Sequence, residues 1–142
     1  MGRSRGGLTT KIHALVDRAG LPIVLKLSAG QAHDGKSAAD MLGSLRKGQT
    51  LLADAAYDSD ALRQDLTSRG VKGEIKPMPG RLILISVNKR LYKQRNKIER
   101  FFNKIKHYRA VATRYEKHDA NYLALIKLAA ARTWMRFYES VT

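Results

Sequence analysis

The sequence contains no cysteine, so it can form neither a disulfide framework nor a cysteine-ligated metal site. It also lacks an apolar run of the ~18 residues that a membrane-spanning helix needs, because Lys127 interrupts the longest candidate, residues 122–131. The opening residues MGRSRGGLTT have no apolar run behind their charges, which predicts that they are not a signal peptide. A membrane protein and a disulfide-stapled secreted domain are therefore both disfavoured.

Acidic side chains are scarce, with 12 Asp and Glu against 27 Lys and Arg and a net charge of +15. This excess favours a polyanionic partner through phosphate neutralisation and counterion release, and nucleic acid fits best. An anionic membrane surface fits less well, because no helix pattern sets one basic face opposite a lone face of aromatic residues and leucine. The remaining alternative is a soluble protein that is merely basic.

The length of 142 residues and a hydrophobic content of 44% predict one domain with a substantial core. Residues 2–9 are predicted to form a basic, flexible arm. The hydrophobic periodicity predicts a mixed α/β pattern. The predicted elements are strands at residues 10–16, 21–28, 50–53 and 71–76, and helices at residues 35–46, 60–69, 89–107 and 120–138.

Turn and cap residues support several of these boundaries. Gly20 suits a hairpin turn between the first two strands, and Asp34 is expected to cap the first helix. Asp58 or Ser59 is expected to cap the second helix. The apolar residues 82–87 lie between chain breakers and basic residues, and the pattern assigns them no element.

The segment YKQRNKIERFFNKIK, residues 92–106, carries a single carboxylate, Glu99, among many basic side chains. On a helix, Tyr92, Arg95, Glu99 and Lys106 fall in one sector beside the apolar face, while Lys97 and Arg100 fall in a sector that faces solvent or phosphate. Arg95 and Glu99 have the spacing of a helical ion pair. The alternative is a metal-binding carboxylate whose neighbouring cations hold a phosphate, and spacing alone does not separate the two.

The pattern Tyr92-x2-Arg95-x3-Glu99-x6-Lys106 resembles the signature of DDE transposases of bacterial insertion sequences. The segments GRSRGGLTTKIHALVD, GQAHD, LLADAAYD and IERFFNKIK are similar to the insertion-sequence-five group in particular. The resemblance extends from Gly2 to about Phe137. Coincidence is disfavoured, because the segments occur in the same order along the chain.

The resemblance implies an α/β, ribonuclease H-like mixed sheet with flanking helices. It also implies cleavage and strand transfer of double-stranded DNA at insertion-sequence ends, with two Mg²⁺ or Mn²⁺ ions. Asp54 and Glu99 match the second and third catalytic carboxylates, and such hard oxygen ligands suit these ions. Arg95 and Lys106 are expected near DNA phosphates with Tyr92, Lys97 and Arg100. For Asp54 the alternative is a cap or turn carboxylate, which Asp58 and Asp60 fit better.

The chain departs from the family pattern at the first catalytic Asp, which would lie on a strand upstream of the GRSRGG segment. Asp17 does not replace it, because Asp17 lies in the predicted hairpin turn. We therefore expect residues 1–142 to be a partial catalytic domain that lacks the first, central strand. The inner edge of the hairpin and the strand at residues 50–54 would both be left unpaired, and the chain alone would be inactive and marginally folded.

The expected partners are DNA and either an upstream transposase fragment or further copies of the chain, in the bacterial cytoplasm at the nucleoid and not at a membrane. Two origins of the chain stay open: it is either the downstream product of a split reading frame or a decayed remnant. The main functional alternative is an inactive DNA-binding fragment that modulates the intact transposase. An RNA-binding protein also fits the charge, but it leaves Asp54 and Glu99 unexplained and lacks an aromatic stacking pattern.

Overall fold

A computed structural model describes residues 10–30, 38–108, 111 and 118–141. The strands are β1 (Thr10–Val16), β2 (Pro22–Ala29), β3 (Thr50–Ala53) and β4 (Lys72–Ile75). The α-helices are α1 (Asp60–Ser68), α2 (Lys89–Tyr92), α3 (Asn96–Ile105) and α4 (Asp119–Val141). Three 3₁₀ helices cover Ala39–Ser44, Ala55–Tyr57 and Lys93–Arg95. This mixed α/β composition confirms the coarse fold class predicted from the sequence.

The chain forms two compact units. The first contains β1, β2, α3 and α4, and the second contains β3, β4, α1 and α2. Each unit has its own two-stranded sheet among the described residues. Within the described part of the chain, no helix has the length and apolarity to cross a bilayer.

The first unit is built on the predicted hairpin. β1 and β2 pair antiparallel from Thr10↔Ala29, with a register irregularity near Val16. The turn holds its shape because Asp17 Oδ1 accepts the backbone N–H groups of Ala19 and Leu21 at 2.9 Å each. Gly20 closes the turn at φ +84°, a conformation that residues with a Cβ rarely adopt.

Two helices contribute the core of the first unit. Phe101 and Ile126 are fully buried, and Ile105 is nearly so. Half-buried apolar residues of the hairpin pack against this cluster. The indole Nε1 of Trp134 on α4 donates to the carbonyl oxygen of Pro22 at 2.8 Å, which ties the long helix to β2. The apolar face predicted for residues 92–106 is therefore buried in the part of the segment that forms α3.

The second unit is a parallel strand pair joined through α1. Thr50 to Ala53 pair with Lys72 to Ile75 in register, and α1 fills the connection between the strands. Ser59 caps α1, since its hydroxyl accepts the Leu62 N–H at 3.1 Å, and Gly70 ends the helix region at φ +71°. Leu66 and Ile75 are buried in the core.

Some predicted elements are wrong in detail. Residues 39–44 form a 3₁₀ helix and not an α-helix, while the predicted cap Asp34 lies outside the described residues, as does the arm at residues 2–9. The guanidinium of Arg69 binds the carbonyl oxygens of Leu42 and Leu45, at 2.9 Å for Leu45. The Leu42 carbonyl oxygen also accepts the Leu45 N–H at 3.1 Å, so the guanidinium binds at the carboxyl end of this short 3₁₀ helix.

Two further corrections concern residues 89–107 and β3. The helix predicted at residues 89–107 consists of α2, the 3₁₀ helix Lys93–Arg95 and α3. The strand expected to be unpaired, β3, pairs along one edge with β4. α1 is a short connection, so β4 returns beside β3. This pairing satisfies the backbone hydrogen-bonding groups along one edge of β3 without a strand from upstream.

Candidate functional site

Asp54 follows the last residue of β3, at the carboxyl end of a parallel strand pair. Side chains at this end of parallel strands line the crevice in which open α/β sheets bind ligands. The neighbouring strand ends at the same edge, since the Lys76 N–H donates to the carbonyl oxygen of Ala53 at 3.1 Å. The side chain of Asp54 is half-buried. The sequence thus located this carboxylate at the correct end of the strand.

The carboxylate of Asp54 has one structural contact. Its Oδ1 accepts the N–H of Ala56 at 3.1 Å and so caps the 3₁₀ helix Ala55–Tyr57. The cap interpretation is therefore correct for one oxygen. Oδ2 makes no hydrogen bond or ion pair with the described residues. A carboxylate fixed through one oxygen and open at the other has the donor chemistry of a hard divalent cation ligand.

Glu99 lies in the first turn of α3, where a negative charge interacts favourably with the helix dipole. Its side chain is exposed, while Phe101 and Ile105 of the same helix are buried and fix the orientation of α3 in the first unit. Glu99 has an interaction partner in the structure. Asp54 belongs to the second unit and Glu99 to the first, and the convergence of their oxygens stays a prediction.

Tyr92 and Arg95 are brought together as the sequence signature suggests. The guanidinium carbon of Arg95 lies 5.6 Å from the centroid of the Tyr92 ring, within the range of a cation–π interaction. Both side chains are half-buried. The contact spans α2 and the following 3₁₀ helix, so it fixes the guanidinium at one end of the second unit.

The other three predicted DNA-binding cations lie in the first unit. Arg100 is exposed on α3. The ammonium of Lys97 donates to the carbonyl oxygen of Arg18, so this side chain braces the hairpin turn. Lys106 is exposed after the end of α3 and lines a cavity of about 250 Å³. Ile12, Phe102, Ile105, Val111 and Tyr122 form the remaining lining.

Comparison with known proteins decides the family. The family model described as the transposase DDE domain matches residues 2–134. The chain belongs to the DDE transposase family. A protein of Brucella ovis named as a transposase for insertion sequence element IS6501 is 41% identical to this transposase over 130 residues, which cover 91% of this chain and all of that protein. No solved structure matches the chain.

Members of this family generally use divalent metals, which prefer oxygen ligands such as carboxylates. Across residues 10–30, 38–108, 111 and 118–141, no group of three or more His, Asp or Glu side chains is close enough to hold an ion. The donor chemistry of Asp54 therefore fits a metal, while a complete ligand set is not assembled by this part of the chain.

Sequence reasoning missed the role of Asp58, a carboxylate with several hydrogen bonds in the described part of the transposase. Its side chain is fully buried and accepts four hydrogen bonds, two from Arg81, one from Arg63 and one from the Met78 N–H, at 2.6–2.7 Å. The bonds from Arg81 lower the pKa of Asp58 well below its ordinary range, and those from Met78 and Arg63 add to this against the opposing effect of burial.

The function of Asp58 is to anchor the loop after β4 to the start of α1. The same bonds raise the pKa of Arg81, which also pairs with Asp60 at 2.8 Å. The sequence showed three acids close together after β3, but not that Arg81, a residue distant along the chain, would bind one of them. The sequence predicted Asp58 or Ser59 as the cap of α1, and Ser59 occupies that position.

Proposed function

We propose that this transposase chain carries part of the catalytic domain for metal-dependent cleavage and strand transfer of double-stranded DNA at insertion-sequence ends. The observation that carries the proposal is Asp54, a half-buried carboxylate with one open oxygen at the carboxyl end of a parallel strand. The family match and the net charge of +15 support DNA as the substrate.

In this proposal Asp54 and Glu99 are the metal ligands, and Mg²⁺ or Mn²⁺ is the ion. When bound, two such ions stabilise the attacking and leaving oxygens of an in-line displacement at phosphorus. Asp54 is suited to hold a ligand position because its bond from Ala56 restricts the side-chain rotamer. Glu99 is suited because α3 is fixed by its buried apolar face.

The proposed DNA contacts are Tyr92, Arg95, Lys97, Arg100 and Lys106. In this proposal the guanidinium of Arg95, which lies over the Tyr92 ring, binds phosphate oxygens. Arg100 and Lys106 are exposed and bind phosphates of the DNA backbone, Arg100 through its forked N–H donors and Lys106 as a point charge. Lys97 combines a structural bond to the hairpin turn with a phosphate contact through its remaining N–H donors.

The proposal includes a ribonuclease H-like fold that needs a further strand and a first carboxylate. Two observations support it. The described sheets have only two strands each and so retain open edges, and no three-ligand group forms within the described residues. An upstream transposase fragment, or another copy of the chain, would supply the missing carboxylate. We place the chain in the insertion-sequence-five group and in the nucleoid.

Complementation tests this proposal. The chain is mixed with a polypeptide that supplies the upstream strand, and cleavage of linear duplex DNA with the element ends is measured in Mg²⁺ and in Mn²⁺. We expect cleavage and strand transfer, with loss of both in Asp54→Asn and in Glu99→Gln. Asp65→Asn is the matched control, because Asp65 is exposed and pairs with Arg69.

The competing proposal is an inactive DNA-binding fragment that modulates the intact transposase. The high positive charge is equally consistent with it. Under this alternative the chain inhibits strand transfer by the intact enzyme, and Asp54→Asn does not relieve the inhibition. Metal-dependent cleavage by the chain without any added fragment would refute the claim that the domain is incomplete.

A further inference from the structure

Three consecutive apolar residues after Arg81 form an exposed loop tip. Leu82, Ile83 and Leu84 are 101%, 75% and 96% exposed. Single exposed leucines are ordinary on protein surfaces, but a contiguous apolar patch marks an interaction site more often than not. Met78, in the same loop, is 46% exposed and lines a cavity of about 660 Å³ with Leu82 and Ile83. We call residues 82–84 the apolar tip.

The apolar tip is held away from the core because both ends of its loop are anchored. On the side of β4, Arg81 and the Met78 N–H bind the buried carboxylate of Asp58. On the side of α2, the Asn88 N–H donates to Oε2 of the buried Glu74 at 2.7 Å. The apolar tip therefore lies between two anchored positions of the loop, and its side chains are exposed.

The loop leaves the sheet at the edge where Asp54 lies. β4 is parallel to β3, and Ile75 is the register partner of Ala53. The Lys76 N–H donates to the carbonyl oxygen of Ala53, one residue before Asp54. A ligand bound at the carboxyl ends of these strands consequently meets the start of this loop.

Cations flank the apolar tip on both sides. Lys76 precedes it, and Lys89 and Arg90 follow it, all with exposed side chains. The acids of the region do not cancel this charge, because Asp58 and Asp60 are paired with Arg81. A second copy of a chain with net charge +15 would be repelled from such a surface, whereas a polyanion with an apolar interior is attracted.

We propose that the apolar tip is a wedge that inserts between base pairs of duplex DNA bound at the Asp54 edge. This rests on the proposed function, since it takes DNA to be the substrate at that edge. Aliphatic side chains that enter a base step unstack it and bend the duplex, while neighbouring cations bind the phosphates on each side. Such an insertion would distort the DNA backbone near Asp54.

The test uses the full chain and a short duplex in which 2-aminopurine replaces adenine at flexible TA steps. Fluorescence of this base rises when it is unstacked. We expect a rise with the wild type and none with the double variant Leu82→Ser, Leu84→Ser, whose affinity should be about tenfold weaker. The slope of log K against log salt should not change, because no phosphate contact is removed.

Leu128→Ser is the matched control, since Leu128 is 68% exposed on α4, and it should behave as wild type. Salt-sensitive DNA binding without a fluorescence change overturns the wedge and leaves the proposed function standing. No salt-sensitive binding at all overturns both. If sedimentation without DNA shows that the double variant changes the oligomeric state, the apolar tip is a contact between chains and the wedge is wrong.

Discussion

Replacing Asp58 with asparagine should strongly destabilise the second unit. Each carboxylate oxygen of Asp58 accepts two hydrogen bonds, and its side chain is fully buried. Asparagine keeps one acceptor oxygen and places an NH₂ group opposite N–H donors of Arg63, Arg81 or Met78. At least two charge-assisted bonds are lost, the guanidinium of Arg63 loses its pair with Asp58, and Arg81 keeps only its pair with Asp60.

Breaking a buried ion pair from one side typically costs ~3–5 kcal/mol. Arg81 keeps 22% of its side chain exposed, and water can replace part of the lost interaction. We therefore expect Asp58→Asn to lower the free energy of unfolding by about 3 kcal/mol, a large fraction of the ~5–15 kcal/mol that is typical of a folded domain.

The same variant should alter the pH dependence of stability. Because the folded-state pKa of Asp58 is lowered, its contribution to stability is complete above the unfolded-state pKa of ~3.9. It is lost as the pH falls below that value, through the folded-state pKa. The wild type should therefore lose stability below about pH 4, and Asp58→Asn should lack this part of the loss.

Urea unfolding followed by circular dichroism, with hydrogen exchange of the amides in α1 and β4, measures both effects. Asp65→Asn is the control, because Asp65 is 51% exposed and its pair with Arg69 should contribute no more than ~0.5 kcal/mol. Equal free energies of unfolding for Asp58→Asn and Asp65→Asn would refute the reasoning. So would a loss of stability below about pH 4 that is the same in Asp58→Asn as in the wild type.

Two further predictions concern the first unit. Phe101→Ala should lower its free energy of unfolding by ~3–5 kcal/mol, because Phe101 is fully buried in the core cluster. Fluorescence of Trp134, the single tryptophan, reports this change, and an unchanged midpoint would contradict the packing. Arg100→Gln should reduce the slope of log K against log salt for duplex DNA by ~0.9, since one phosphate contact is lost. Lys127→Gln, an exposed change on α4, should leave that slope unchanged, and equal slopes for both variants would exclude Arg100 from the interface.

The sequence predicted the elements whose signals are local. The hairpin follows from alternating apolar residues around the Asp17–Gly20 turn, where short-range side-chain bonds and one positive φ set the geometry. The strand before Asp54 follows from a short apolar run with a polar end, and Ser59 is a cap that acts on a residue three positions away. The position of Asp54 at a strand end was therefore predictable.

The elements that sequence reasoning missed depend on distant partners. Arg69 binds two carbonyl oxygens at the end of the 3₁₀ helix at residues 39–44, which lie 27 and 24 residues away, and no local pattern encodes that contact. Arg81 reaches Asp58 over 23 residues, and the exposure of residues 82–84 depends on that anchor. An apolar run alone predicts burial, so the exposed tip could not be read from composition.

Metal-directed cleavage of the polypeptide tests most directly whether Asp54 and Glu99 share an ion. Fe²⁺ replaces Mg²⁺ in the complemented transposase, and ascorbate with peroxide then generates radicals that cut the backbone next to the bound iron. The account predicts cuts near residue 54 and near residue 99 in the same sample, both of them lost in Asp54→Asn and in Glu99→Gln. Cuts at only one of these places, or cuts that persist in both variants, would contradict a shared metal site.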